Sequence, residues 1–138
     1  MPARDIYHEQ VKTALIREGW TITDDPYVLT IGRSNLFVDL GASKLVSAEK
    51  GNQKIAVEVK SFIGKSKIND LENALGQYTL YYDILRQREP ERQLYLAITD
   101  DAFDDVFKEP IGELLLENKR LNLIVLDRLT GGIRQWIA

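Results

Sequence analysis

The sequence predicts a mixed α/β (α+β) domain in which helices flank a central sheet of mixed strand direction. Three observations carry this. The elements run helix, short strands, long helix, strand, short helices, strands, which is not the strict alternation of repeated βαβ units. Turn residues separate the early strand-like runs closely enough for antiparallel hairpins. The helical stretch between Phe62 and Gln93 is long enough to act as a crossover that sets two strands parallel.

The opening segment, Asp5 to Gly19, reads as a helix, with Tyr7, Val11, Ala14 and Leu15 at helical spacing and Gly19 as its stop. A second stripe, Ile6, Glu9, Thr13 and Ile16, sets Glu9 beside the buried face. Strands are expected over Tyr27–Ile31 and Asn35–Gly41, with Gly32-Arg33-Ser34 as the turn between them. Lys44–Lys50 and Lys54–Phe62 flank Gly51-Asn52 and read as a further hairpin. The long helix spans about Lys67 to Arg88, with Leu71, Ala74, Leu75, Tyr78, Tyr82 and Leu85 on its apolar face, and stops before Pro90. Gly76 inside it costs about 1 kcal/mol relative to alanine, which reads as permission for close packing. Gln93–Thr99 is a strand, Asp100–Phe107 and Pro110–Lys119 are short helices, and Leu121–Leu126 is a strand. Gly131-Gly132 turns the chain into a last strand, Ile133–Ile137. Neither a repeat nor a low-complexity linker interrupts this order, so a single domain over residues 1–138 is expected.

Composition narrows the function. Apolar residues are 44% and charged residues 28% of the chain, the balance of a packed domain rather than a disordered one. No apolar run approaches the roughly 20 residues that cross a bilayer. The charge pair Arg4-Asp5 stands where a signal peptide would need its apolar core, so residence in the cytosol is expected, with no membrane partner. The absence of cysteine excludes disulfides, thiolate metal sites and cysteine nucleophiles. One histidine, His8, excludes histidine-rich metal sites and leaves a Ser-His-Asp triad open only through that residue. His8-Glu9 does not extend to H-E-x-x-H, because Lys12 takes the second histidine position. With a net charge of −3, strong DNA binding by the lone chain is not expected. Useful affinity calls for a homodimer or a protein partner that supplies basic surface.

The stretch Ile55 to Phe62 carries the chemistry. Side chains alternate along a strand, so Ile55, Val57 and Val59 share one face while Ala56, Glu58 and Lys60 share the other. Charges on an otherwise apolar strand are costly unless paired or used. Upstream, Leu36-Phe37-Val38-Asp39-Leu40-Gly41 is another apolar run with one embedded carboxylate. Asp39 and Glu58 from adjacent strands can hold Mg²⁺, or Mn²⁺, and leave positions for water and a phosphate oxygen. Lys60 can then position the attacking water or stabilise the charge that builds during phosphodiester cleavage. Taken singly, these residues read as strand-end charges or an ion pair; it is their grouping on neighbouring strands that favours a site. Glu49, beside a turn, reads as a solvated charge. Lys65 and Lys67 are phosphate contacts or simply a charged loop. Asp100, Asp101, Asp104 and Asp105 form an acidic helix start that suits the helix dipole.

The pattern Asp39, then Glu58-Val59-Lys60, resembles the PD-(D/E)XK nuclease superfamily with its restriction-endonuclease-like αβββαβ core. That resemblance implies that Glu9 is an auxiliary acidic residue. It also implies that Gln77 and Tyr81 form the Q-x-x-x-Y element on the long helix; read by themselves they are equally a helix surface pair. Val38 stands where the family's proline would precede Asp39. Across the chain, Met1-Pro2-Ala3-Arg4-Asp5, Ala48-Glu49-Lys50-Gly51, Leu75-Gly76-Gln77-Tyr78, Glu109-Pro110-Ile111-Gly112 and Gln135-Trp136-Ile137 are similar to the XisH family of cyanobacterial fdxN-element excision controlling factors. This second resemblance implies a role in site-specific DNA excision beside a recombinase and a XisI-type protein. Two functions from different classes follow. One is a Mg²⁺-dependent DNA endonuclease; the other is a catalytically silent accessory protein that binds a recombinase or XisI-type partner through a nuclease-like fold. A plain α/β interaction module with a structural charge cluster is a third.

Overall fold

The structure, a computed structural model, describes residues 4–138; Met1-Pro2-Ala3 of the opening motif lie outside the described residues. The first helix, α1 (His8–Arg17), buries His8, Val11, Ala14 and Leu15 as one stripe. It ends in a Schellman motif, with Gly19 at φ +93°. There the Gly19 N–H donates to Ile16 O at 3.0 Å and the Trp20 N–H to Leu15 O at 3.1 Å. The second stripe faces water rather than the core, with Ile6 63% and Ile16 53% exposed.

Strand β1 (Thr21–Asp24) follows, an edge strand absent from the sequence reading. Strands β2 (Tyr27–Ile31) and β3 (Ser34–Val38) form a separate hairpin whose turn starts at Gly32, φ +57°. The expected strand Asn35–Gly41 is broken at Asp39, where the chain leaves this hairpin and enters the main sheet as β4 (Leu40–Ser47). The next turn is Ala48–Lys50, not Gly51-Asn52. Gly51, at φ +68°, opens β5 (Gly51–Val59), and the β4–β5 register shifts on the β4 side, between Leu45 and Ser47.

Helix α2 (Lys67–Arg88) is capped by Ser66, whose Oγ accepts the Asn69 N–H at 3.1 Å. It leads to β6 (Gln93–Thr99), which lies parallel to β5. The expected helix Asp100–Phe107 is split: a short α3 (Asp100–Ala102) runs into a π-helical turn, Phe103–Phe107. Helix α4 (Pro110–Glu117) docks on that turn through Gly112, where an added Cβ would stand 2.3 Å from the Phe107 Cα. Strand β7 (Leu123–Leu126) is parallel to β6 and β8 (Ile133–Ile137) is antiparallel to β7. The six-stranded sheet has the order β1-β4-β5-β6-β7-β8.

This sheet has a core on each face. Toward α1, Val11, Leu15 and Trp20 pack on Leu40, Ile55, Val57, Val59 and Ile124. Toward α2, the π-turn and α4, Leu71, Tyr78, Tyr81 and Phe107 pack on Ala56, Leu94, Leu96 and Leu123. The alternation along β5 therefore matches the sequence reading. On α2 the phase differs. Tyr81 is buried, while Tyr82 is 42% exposed and stacks on Tyr78 from outside. Tyr78 donates its hydroxyl to Leu94 O at 2.9 Å and accepts the Asn122 N–H at 3.0 Å, pinning α2 to the sheet.

Gly76 corrects the close-packing expectation. It lies on the exposed face of α2 with nothing within 4 Å of a Cβ built there. Gly76→Ala is therefore expected to stabilise the protein by about 0.5–1 kcal/mol, read as a shifted denaturant midpoint at constant slope. A loss of stability would contradict the open space beside Gly76.

Candidate functional site

Asp39 sits at the bend between β3 and β4, outside both strand ladders. Its backbone and side chain are thus free to bond sideways to β5. The Asp39 N–H donates to Glu58 Oε1 at 3.3 Å, and Asp39 Oδ2 accepts the Val59 N–H at 2.7 Å. Glu58 stands one residue before the end of β5, on the α2 face with Ala56. These bonds bring the two carboxyl groups together.

Burial and proximity act on both acids in the same direction. Burial, then the Asp39 charge, push the Glu58 carboxyl up to about 9, with Lys60 pulling it partly back. Asp39 is also raised, by burial first and by the nearby Asp5 charge, against the Val59 and Glu58 hydrogen bonds and His8. At neutral pH the pair shares a proton and carries roughly one negative charge. Tyr81 faces the pair from α2; burial and the Glu58 and Asp39 charges push its phenol up to about 12.

Lys60 lies just past β5, where its N–H still bonds Ala97 O at 3.0 Å and keeps the strand direction. Its positive charge therefore acts on Glu58 through space. Two residues on, buried Phe62 adopts φ +57°, a left-handed conformation rare for a bulky residue. Its carbonyl accepts Lys67 Nζ at 2.5 Å and its ring packs edge-on against Phe107. Lys67 is thereby a clamp on the loop behind Lys60, while Lys65 is exposed.

Other sequence candidates fall away from the pair. Glu9 points outward, 67% exposed, to Arg4 Nη1 at 3.0 Å. The acid that reaches Asp39 from this end of the chain is Asp5, whose two oxygens accept the Tyr7 N–H at 3.0 Å and the Ser61 N–H at 2.9 Å. Gln77 is exposed on α2, whereas Tyr81 one turn later is buried, so the two do not act as a surface pair. Glu49 is solvated in the turn before β5. Asp100 is more than a dipole partner: it is buried and bonds Arg128 at 2.6 Å and Arg134 at 3.5 Å, tying α3 to the β7–β8 end.

Sequence reasoning missed His8 and Asp25. His8 Nε2 bonds Asp25 Oδ1 at 2.8 Å, and Lys12 Nζ bonds Asp25 Oδ2 at 2.8 Å. His8 Nδ1 stands 4.0 Å from Asp39 Oδ1. The signal was present, because His8 continues the Val11–Leu15 stripe one turn toward the N-terminus. Asp25 had none, since its place depends on the turn after β1.

The acidic pair fits a hard divalent cation. Two half-buried carboxyl groups that repel one another, with one forced to keep its proton, gain when a cation replaces that proton. The fold and this pair define an α/β protein with a half-buried acidic centre where the start of β4 meets the end of β5. The family described as XisH protein matches residues 1–134. A crystal structure of a fdxN element excision controlling factor protein from Anabaena variabilis is 40% identical, with a TM-score of 0.86 over 98% of this chain and 100% of that one. An XisH family protein from Nostoc punctiforme PCC 73102 is 36% identical, with a TM-score of 0.86 over 97% of this chain and 100% of that one. No curated protein matches the chain. The chain belongs to the XisH family. Among the described residues no helix is long and apolar enough to cross a membrane.

The raised Glu58 carboxyl fixes a pH dependence. Below its ordinary value of 4.5 it is protonated whether the chain is folded or not. Between there and about 9 the unfolded chain ionises while the folded protein keeps the proton, so stability falls as pH rises. In metal-free buffer that fall is expected to reach a few kcal/mol, on the order set by the shift. Glu58→Gln is expected to flatten the slope and to exceed the parent in stability at pH 8. Equal slopes for parent and variant in denaturant titrations would contradict a Glu58 that keeps its proton in the folded protein.

Proposed function

We propose that this protein supports excision of a DNA element by cleaving a phosphodiester bond, as a divalent-cation-dependent endonuclease of the PD-(D/E)XK type. The observation that carries the reading is the Asp39–Glu58 pair with Lys60 two residues beyond Glu58 on the same strand face. Asp39 and Glu58 are the residues that would hold Mg²⁺ or Mn²⁺. Bound there, the cation would supply charge neutralisation at a phosphate oxygen and lower the pKa of water. Asp39 is fixed by the Val59 N–H, so its orientation needs no rearrangement at the moment of reaction. Lys60 places a positive charge beside the pair, where negative charge builds on the scissile phosphate. Tyr81 stands buried on the α2 side of the pair.

The net charge of −3 favours a second reading, a catalytically silent accessory protein in the excision complex. In either case DNA is engaged with help: from a homodimer, which would present two sites to a duplex, or from a XisI-type protein and a recombinase that supply basic surface.

Two variants separate enzyme from accessory. Glu58→Gln is expected to weaken Mg²⁺ binding. Lys60→Ala is expected to keep it and to lower cleavage of duplex, nicked or branched DNA by about 10²–10³-fold. Thermal melts check that each variant folds. An accessory protein instead predicts that both variants support excision as the parent does. Lost excision with unchanged stability, and no cleavage in any DNA assay by the parent, would overturn the nuclease reading.

A further inference from the structure

His8 is 2% exposed, and its Nδ1 is the buried side-chain polar atom without a hydrogen-bond partner among the described residues. A buried polar atom in that condition is costly and calls for a partner. The other ring nitrogen is fully engaged, with Asp25 Oδ1 at 2.8 Å. Asp25 in turn is held by Lys12 at 2.8 Å and by Arg4 at 3.4 Å. Donation of Nε2–H to Asp25 leaves a lone pair on Nδ1, and that lone pair faces Asp39 Oδ1 at 4.0 Å. This is too long for a hydrogen bond and short enough for two ligands of one small ion, each about 2.1 Å away. A carboxylate that fixes the tautomer and orientation of an imidazole is the usual support behind a metal-bound histidine.

The other side of the ring is a poorer place for an ion. His8, Glu9 and Asp25 offer ligand atoms within 4.8 Å of one another. Arg4 and Lys12 already neutralise that group, and Glu9 is turned to solvent. On the opposite side of the ring, Asp39 lies beside the acids Glu58 and Asp5, and among the described residues no lysine or arginine forms a salt bridge with it.

We infer that His8 Nδ1 is a third protein ligand of the cation held at Asp39, with Asp25 as its positioning residue. The inference rests on reading the Asp39–Glu58 pair as a cation site. It also changes which ion the site prefers. Mg²⁺ keeps to oxygen ligands, whereas an imidazole suits first-row transition ions, so the site takes Mn²⁺ ahead of Mg²⁺.

The chain has a single histidine, which makes the test specific. The full chain is labelled with ¹⁵N-histidine, loaded with less than one equivalent of Mn²⁺ alone, and examined by pulsed EPR. The expected result is a ¹⁵N hyperfine coupling from a directly bound imidazole, lost together with Mn²⁺ binding in Asp39→Asn. Asp25→Asn is expected to lower Mn²⁺ affinity by about 10-fold or more with the coupling altered. Titrations of the parent are expected to show tighter Mn²⁺ than Mg²⁺ binding. Mn²⁺ bound at Asp39 without a ¹⁵N coupling would overturn the role of His8 and leave the acidic pair as a cation site. A coupling that survives Asp39→Asn would place the ion on the Asp25 side and overturn the inference. Failure of the parent to bind Mn²⁺ at millimolar concentration would overturn both.

Discussion

Two acidic side chains held out of bulk water repel each other and lose hydration, so a fold that presses them together must supply compensation elsewhere. Here the compensation comes from the backbone. The chain breaks its strand at Asp39, and the freed groups bond to Glu58 Oε1 and to the Val59 N–H. The two hydrogen bonds stitch the β3–β4 bend to the end of β5. They also leave a carboxyl group that keeps its proton near neutral pH. A natural protein can hold such a pair at a net cost when the pair serves a function.

The surroundings of the pair are built for the same end. Above it, α1 contributes a histidine rather than an apolar residue to an otherwise apolar stripe. Below it, α2 contributes Tyr81. Beyond it, β5 parts from the sheet through Phe62 in a left-handed conformation, clamped by Lys67. Parallel pairing of β5 with β6 places the strand end carrying Glu58 and Lys60 beside Leu96 and Ala97 in the middle of the sheet. Central strands are the most rigid part of such a domain, so Glu58 is carried on a firm support.

Much of this was legible in the sequence. Tyr27–Ile31, Lys67–Arg88, Gln93–Thr99 and Ile133–Ile137 have the expected bounds, because each is a strong periodic run with a glycine, proline or cap at its ends. The alternation that put Glu58 opposite Val57 and Val59 was also readable. Other features were not. Leu36 to Gly41 reads as one apolar strand, and the break at Asp39 arises only when two sheets compete for its halves. Thr21–Asp24 is polar and short, and becomes a strand by pairing with β4 at the edge. On both long helices the error was one of phase. Spacings of three and four residues are both helical, so the edge of the apolar face can be read one residue off, about 100° around the helix, as at Tyr81 and Tyr82 or His8 and Glu9. The XisH resemblance was legible from motifs spread over the chain and agrees with the family match over residues 1–134.

The account turns on Asp39 and Glu58 sharing a proton that a cation can replace. The direct measurement is proton release on metal binding. Calorimetric titration of Mn²⁺ into the protein, in buffers of different ionisation enthalpy at pH 7, gives the number of protons lost per ion. The account predicts close to one, falling toward zero as the pH passes about 9, the value to which Glu58 is raised. Binding that releases no proton at pH 7 would contradict it.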